Sequence, residues 1–229
     1  MTENEKYVLE KIKHGDIIDT PWRHLVIKDF LPKKLYEGIK KEIAGYEISE
    51  CLKKENIRAY HVYVNKSVNV YPSTYYLKEY YDTLLNSFII DEIKKKLNLK
   101  QQPNDFYSEL NFFTRGYVYD EIHPDRSDKL ITMLHYLADE GDDTSLGTFL
   151  YTPFKDGKTL DIFEDRITST QYISNCVLLF APNDTPSYKT NHCMGNNSKK
   201  TFLRKSFQSF WIKEESDWTK DKQLGRIKL

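Results

Sequence analysis

His123 and Asp125 stand two positions apart in YDEIHPDRSDKLITMLHYL, just before a run that alternates apolar and polar residues. In extended backbone, residues i and i+2 point to the same side, so both side chains can reach one ion. The stretch His123-Pro124-Asp125 also suits a polar turn leading into a strand, and an isolated H-x-D decides nothing by itself. A metal needs a third donor from elsewhere in the chain. The best candidate is His192, in PSYKTNHCMGNNSKKTFLRKSFQSFWI. Two imidazoles and one carboxylate leave coordination positions open on a transition metal, which a reaction centre requires and a structural site does not.

Twelve residues beyond His192 comes Arg204, in LRKSFQSFW. On a strand, Arg204, Ser206, Gln208 and Phe210 share one face, and Lys205, Phe207, Ser209 and Trp211 share the other. The second face carries Phe207 and Trp211 and is expected to pack against helices. The first offers a guanidinium beside a hydroxyl, a pair suited to gripping a carboxylate. A structural salt bridge is the alternative, because a buried arginine needs an anion in either case. Beside H-x-D and a downstream histidine, the anion grip is the reading adopted.

The remaining histidines have simpler readings. His14 lies in a charged segment and is expected in solvent, while His24 and His61 lie in strand-like stretches with no carboxylate arrangement nearby. His135 sits within a strand pattern, where a hydrogen-bonded core histidine is the default. Cys51, Cys176 and Cys193 have no spacing that suggests a disulfide framework or a zinc knuckle.

These side chains need a scaffold, and its pattern changes near residue 100. WRHLVIKDF (22–30) reads as a strand and LPKKLYEGIKKEIAGY (31–46) as a helix, with Leu35, Ile39 and Ile43 on one face and Gly45 as its terminator. Residues 73–99 read as a second helical region with an apolar stripe of Leu77, Tyr81, Leu84 and Phe88. Lysines 94–96 suit its C-terminal end, where the macrodipole favours positive charge. Beyond residue 100 come short β-branched and aromatic runs: DFYSELNFFTR, DKLITMLHYL, LGTFLY, QYISNCVLLFA and KTFLRKSFQSFWI, separated by DEGDDTS, KDG and PND. Helices followed by strands predict an α+β fold, with helices packed on a strand-built sandwich or barrel.

The whole chain narrows the function classes. Its 229 residues fit one domain spanning 1–229, with residues 1–18 as a loose tail or frayed helix. The formal charge of zero supplies no pull toward nucleic acid or anionic membrane, so neither is expected as a partner. No apolar run approaches a bilayer span, and the charged start MTENEKYVLEKIKHGD is unlike a secretory signal, so a soluble cytoplasmic protein is expected. An aromatic content of 14% suits a β-rich fold.

On these motifs the sequence resembles the 2-oxoglutarate- and Fe(II)-dependent oxygenase superfamily, in its prolyl-hydroxylase-like branch. PWRHLVIKDFLPKKLYEGIKKEI is similar to the entry strand and first helix of such proteins. HPDRSDKLITMLHYLADEGDDTSLGTFLY is similar to their H-x-D, a strand ending in Tyr-Leu, and a glycine-containing strand. APNDTPSYKTNHC followed by LRKSFQSFW is similar to the segment that carries the distal histidine and then Arg-x-Ser. The resemblance covers roughly residues 20 to 213. It implies a double-stranded β-helix (jelly-roll) core with flanking N-terminal helices. It further implies that His123, Asp125 and His192 hold Fe(II), and that Arg204 and Ser206 bind the distal carboxylate of 2-oxoglutarate.

In many relatives the distal histidine directly follows a Ser-aromatic pair, and here SYK puts Lys189 in that place. A protonated amine is a poor ligand, so His192 is assigned and the intervening residues are read as a local insertion. Relatives that halogenate carry a small residue in place of the carboxylate ligand, so Asp125 favours hydroxylation or a related oxidation. The implied activity is a dioxygenase that consumes O2 and 2-oxoglutarate, releases succinate and CO2, and hydroxylates a small-molecule or peptidyl substrate. On the strand before the motif, Tyr107, Asn111 and Phe113 are candidate pocket residues, and Arg115 and Arg126 are candidates to meet an anionic substrate. Two other classes stay open: a metal-dependent cupin-type sugar isomerase or lyase, and a non-catalytic jelly-roll binding module. The isomerase or lyase would not need the Arg204 and Ser206 grip, and the binding module would have no need of open iron positions. The substrate and the oligomeric state are not encoded in any motif.

Overall fold

The change of pattern near residue 100 corresponds to a change of layer. The computed structural model describes residues 1–47, 54–65, 70–117, 122–152, 161, 164–182, 190–195 and 203–213. Among these, helices α1 (Glu3–His14), α2 (Lys33–Glu47), α3 (Tyr75–Leu85) and α4 (Ser87–Leu97) all precede the main run of strands. Strands β1 (Ile17–Ile18), β2 (His24–Ile27) and β3 (Arg58–Asn65) are interleaved with them. After residue 100 come β4 (Asp105–Thr114), β5 (Lys129–Tyr136), β6 (Thr148–Tyr151), β7 (Arg166–Ser169), β8 (Cys176–Phe180), β9 (His192–Met194) and β10 (Leu203–Ile212). Seven strands form one sheet in the order β1-β2-β8-β5-β10-β4-β3, and three form a second in the order β7-β6-β9. Every pairing among these strands is antiparallel. The α+β expectation therefore holds, with two antiparallel sheets and four helices among the described residues.

The large sheet is buried on both faces, which is why its central strands read as continuous apolar runs. In β8, Val177 and Leu179 join the helix-side core, while Cys176, Leu178 and Phe180 join a second core that includes Leu150 of the small sheet. The helix-side core takes Leu35, Ile39 and Ile43 from α2, with Leu77, Tyr81 and Leu84 from α3. Burial at this level contributes about 1.5–3 kcal/mol for each large aliphatic or aromatic side chain.

Four sequence expectations need correction. The first residues are not a loose tail. Thr2 and Glu5 form a reciprocal capping box at the start of α1, and Val8 and Ile12 are fully buried in the helix-side core. Helix α2 runs through Gly45 to Glu47; a Cβ at Gly45 would meet nothing within 4 Å, so this glycine is simply tolerated inside the helix. The helical region over 73–99 is two helices. Asn86 ends α3 and begins α4, its side-chain oxygen accepting from the Phe88 amide at 3.0 Å, because a short polar side chain competes with helical backbone bonding. The break rotates Phe88 off the stripe and leaves it 61% exposed. Lysines 94–96 do occupy the last turn, which Asn98 closes in the left-handed conformation at φ 60°. Among the described residues no helix is long and apolar enough to cross a membrane.

Candidate active site

The sequence-predicted donors reach one place through backbone pairing. His123 and His192 form an isolated antiparallel bridge, with His123 N–H donating to His192 C=O at 3.1 Å and His192 N–H to His123 C=O at 3.0 Å. Their rings stand 4.7 Å apart, centroid to centroid. His192 opens β9, which pairs with β6, so the small sheet carries it. Gly147, just before β6, permits the close approach of the neighbouring chain: a Cβ there would lie 1.8 Å from the Thr170 carbonyl oxygen. His123, Asp125, His192, Arg204 and Ser206 all line a single cavity of about 380 Å³. Lys189 lies outside the described residues.

Asp125 is 7% exposed and both its oxygens are engaged. Lys129 Nζ donates to Oδ1 as an ion pair, and Thr132 Oγ1 donates to Oδ2 at 2.6 Å. Burial pushes the Asp125 carboxyl up. The Lys129 ammonium, His192 and these hydrogen bonds outweigh it and hold the pKa at about 2, so the group is an anion at neutral pH. His192 is pushed the other way. Burial lowers its pKa to about 4, against the opposing charge of Asp125, and the ring is neutral at pH 7. Its Nδ1 lies 2.8 Å from the Thr190 carbonyl, which makes Nδ1 the protonated nitrogen. Nε2 has no hydrogen-bond partner among the described residues and keeps its lone pair for a ligand. A neutral imidazole oriented by a carbonyl is the form in which histidine binds metals.

Among the described residues, no three His, Cys, Asp or Glu side chains stand at ligating distance of one point. The donor set has the composition of a mixed N/O site with open positions, and Asp125 instead contacts Lys129.

At Arg204 the alternation along β10 has its predicted result. Arg204, Ser206, Gln208 and Phe210 line the cavity, and Phe207 and Trp211 enter the helix-side core. The Arg204 guanidinium is 2% exposed, donates through Nε to the Leu146 carbonyl at 2.8 Å, and is ringed by Phe113, Tyr136 and Tyr172 at 5.4, 5.6 and 5.3 Å. Burial lowers its pKa, and Tyr136 and Tyr172 oppose the shift. No carboxylate among the described residues pairs with it, so the structural salt bridge that the sequence left open is not found there. A buried guanidinium that lies among aromatic faces and lines a cavity has the chemistry to take an anion.

Of the other candidates, Phe113 lines the cavity. Tyr107 and Asn111 stand behind it, donating to the two oxygens of Glu109 at 2.9 and 3.1 Å. Arg126 lines the cavity and pairs with Asp128; Arg115 is turned to Glu55 at 2.6 Å. Sequence reasoning missed Lys129, Thr132, Glu109 and Arg58, all cavity residues. The parity of β5 was the available signal for one of them. Ile131 and Met133 lie in the helix-side core, so Thr132 and Leu134 had to face the other way.

No protein-family model matches the sequence, and no curated protein sequence matches it. Solved structures do match. A Pseudomonas putida prolyl-4-hydroxylase superposes with a TM-score of 0.53 at 14% identity, covering 91% of this chain and 98% of that one. A Phytophthora capsici prolyl 4-hydroxylase gives 0.57 at 13%, covering 99% and 71%. A Trichoplax adhaerens prolyl hydroxylase, solved with a hypoxia inducible factor peptide fragment, gives 0.52 at 12%, covering 96% and 93%. The resemblance read from the motifs is thus met by the architecture: this chain has a fold similar to that of these prolyl hydroxylases.

Proposed function

We propose that this chain is a non-haem Fe(II)- and 2-oxoglutarate-dependent dioxygenase with a jelly-roll core, hydroxylating a substrate admitted to the 380 Å³ cavity. The observation that carries the reading is the meeting of two chemistries in one cavity: an imidazole–carboxylate–imidazole donor set, and a buried arginine without a carboxylate partner among the described residues. In this reading His123, Asp125 and His192 hold the iron, and Arg204 with Ser206 takes the distal carboxylate of the cosubstrate. Bound iron and 2-oxoglutarate supply O2 activation coupled to decarboxylation of the cosubstrate, yielding succinate, CO2 and a hydroxylated product.

The protein's own residues do the positioning. The backbone bridge fixes the spacing of the two imidazoles, and the Thr190 carbonyl sets the tautomer of His192. Phe113, Tyr136 and Tyr172 desolvate Arg204, so that a carboxylate arriving there meets a cation not already neutralised. A cupin-type isomerase or lyase has no use for that second anchor, and the prolyl-hydroxylase fold does not favour it.

An anaerobic titration of purified protein with Fe(II) and 2-oxoglutarate tests the proposal by the weak visible charge-transfer band of the chelated complex. The band should appear in the wild type and require 2-oxoglutarate. A protein that binds Fe(II) but gives no band with 2-oxoglutarate would sink the reading.

A further inference from the structure

We infer that Lys129 is a resident cation that the metal must displace from Asp125, so that this side chain weakens metal binding and sets how readily the site loads. The inference rests on the proposed ligand role of His123, Asp125 and His192.

Lys129 opens β5, four residues after Asp125, and both side chains are buried, at 11% and 4% exposure. Its ammonium donates to Asp125 Oδ1 and lies 3.7 Å from the centre of the Phe210 ring, on the cavity face of β10. Thr132 holds the other carboxylate oxygen. With one oxygen taken by a hydroxyl and one by an ammonium, the carboxylate is satisfied without metal. That is why its burial is tolerated.

A divalent ion arriving at Oδ1 exchanges one cation for another rather than filling a gap. It also stays beside a positive charge, in a cavity where Coulomb effects are stronger than in water. Both effects act in the same direction, against the metal. Phe210 gives the ammonium a second seat, the face of an aromatic ring, once the carboxylate turns to the metal. Arg126, the other cation near the motif, is held by Asp128 and does not compete for Asp125. Lys129 is thus a positioning residue: it keeps Asp125 ordered in the metal-free protein and makes the metal exchangeable.

Calorimetric titration with Mn(II), a redox-inert probe, tests this on full-length wild type, Lys129→Met and Lys129→Arg, with thermal unfolding of the metal-free proteins. Lys129→Met keeps the aliphatic stem and removes the charge. It should bind Mn(II) tighter by about tenfold or more and, metal-free, melt below the wild type, because Asp125 is left buried without its partner. Lys129→Arg should stay near the wild type in both measurements. Equal or weaker Mn(II) binding by Lys129→Met overturns the inference while leaving the oxygenase reading intact. Should that variant fail to fold, Lys129→Gln, which keeps a donor for Asp125, is held to the same outcomes. Failure of the wild type and every variant to bind Mn(II) overturns the metal site itself and this inference with it.

Discussion

His135 and His192 are both buried, and burial lowers the pKa of each to about 4, yet the protein treats them differently. His135 lies on the helix side of the large sheet, with Tyr80 Oη 3.2 Å from Nδ1 and Asn175 Oδ1 3.2 Å from Nε2. Both ring nitrogens are used, so the residue is a finished piece of the core. His192 lies on the cavity side, with Nδ1 fixed by a carbonyl and Nε2 without a partner among the described residues. Depth and titration do not separate the two; the accounting of hydrogen bonds does. The same contrast runs along β10, where Phe207 and Trp211 fill the core while Arg204 and Ser206, on alternate residues, line the cavity. Of these two histidines, the one with both ring nitrogens partnered belongs to the core, and the one with a nitrogen left over lines the cavity.

The sharpest way to break this comparison is to exchange the two histidines' fates. His192→Ala should weaken Mn(II) binding by more than about 100-fold, since loss of even the outer partners of metal ligands costs about 10–100-fold, with the fold retained on calorimetric and circular dichroism measurement. His135→Gln should leave Mn(II) affinity unchanged and cost about 1–3 kcal/mol of unfolding free energy in denaturant titration, through its two lost partners. A large metal effect from His135→Gln would dissolve the distinction.

Along β10 the expected effects divide the same way. Phe207→Ala should cost about 3–5 kcal/mol of stability by opening a cavity beside the helices. Arg204→Met should change stability little and weaken 2-oxoglutarate binding to the Mn(II)-loaded protein by about 10–100-fold, the loss of a charge-assisted contact. Equilibrium dialysis with 2-oxoglutarate, beside denaturant unfolding, reads both.

A further expected effect is on pH. Both histidines have folded values of about 4, below the ordinary 6.5, so in that interval the unfolded chain binds more protons than the folded one. Stability therefore rises with pH there: it is fully present above about 6.5 and is lost as pH falls toward about 4. Asp125, held at about 2, adds its own loss only at lower pH. His135→Gln should flatten part of the slope in unfolding measured between pH 7 and 4; an unchanged slope would mean that His135 does not differ between the folded and unfolded states.

Much of this was legible from the chain. Helical spacing places Leu35, Ile39 and Ile43 on the buried face of α2, and alternation sorts β10 into a core face and a cavity face, because both follow from local backbone geometry. The types and order of His123, Asp125, His192 and Arg204 suggest a chemistry before any fold is known. Other features have no local signature. Asn86 divides a continuous apolar pattern because its side chain reaches the Phe88 amide, and periodicity alone does not register a cap. Glu109 and Arg58 belong to the cavity through the pairing of β3 with β4.

What the sequence determined by itself, then, is a set of candidate donors, the layer each strand face must occupy, and the order of helices before strands. Only the tertiary structure decided that His123 bonds to His192 across the antiparallel bridge, that aromatic rings rather than a carboxylate surround Arg204, and that Lys129 occupies Asp125. Those are contacts between chain-distant strands or between side chains, fixed by register and packing. A side chain's type limits what it can bind, but its neighbours decide whether that capacity is already spent.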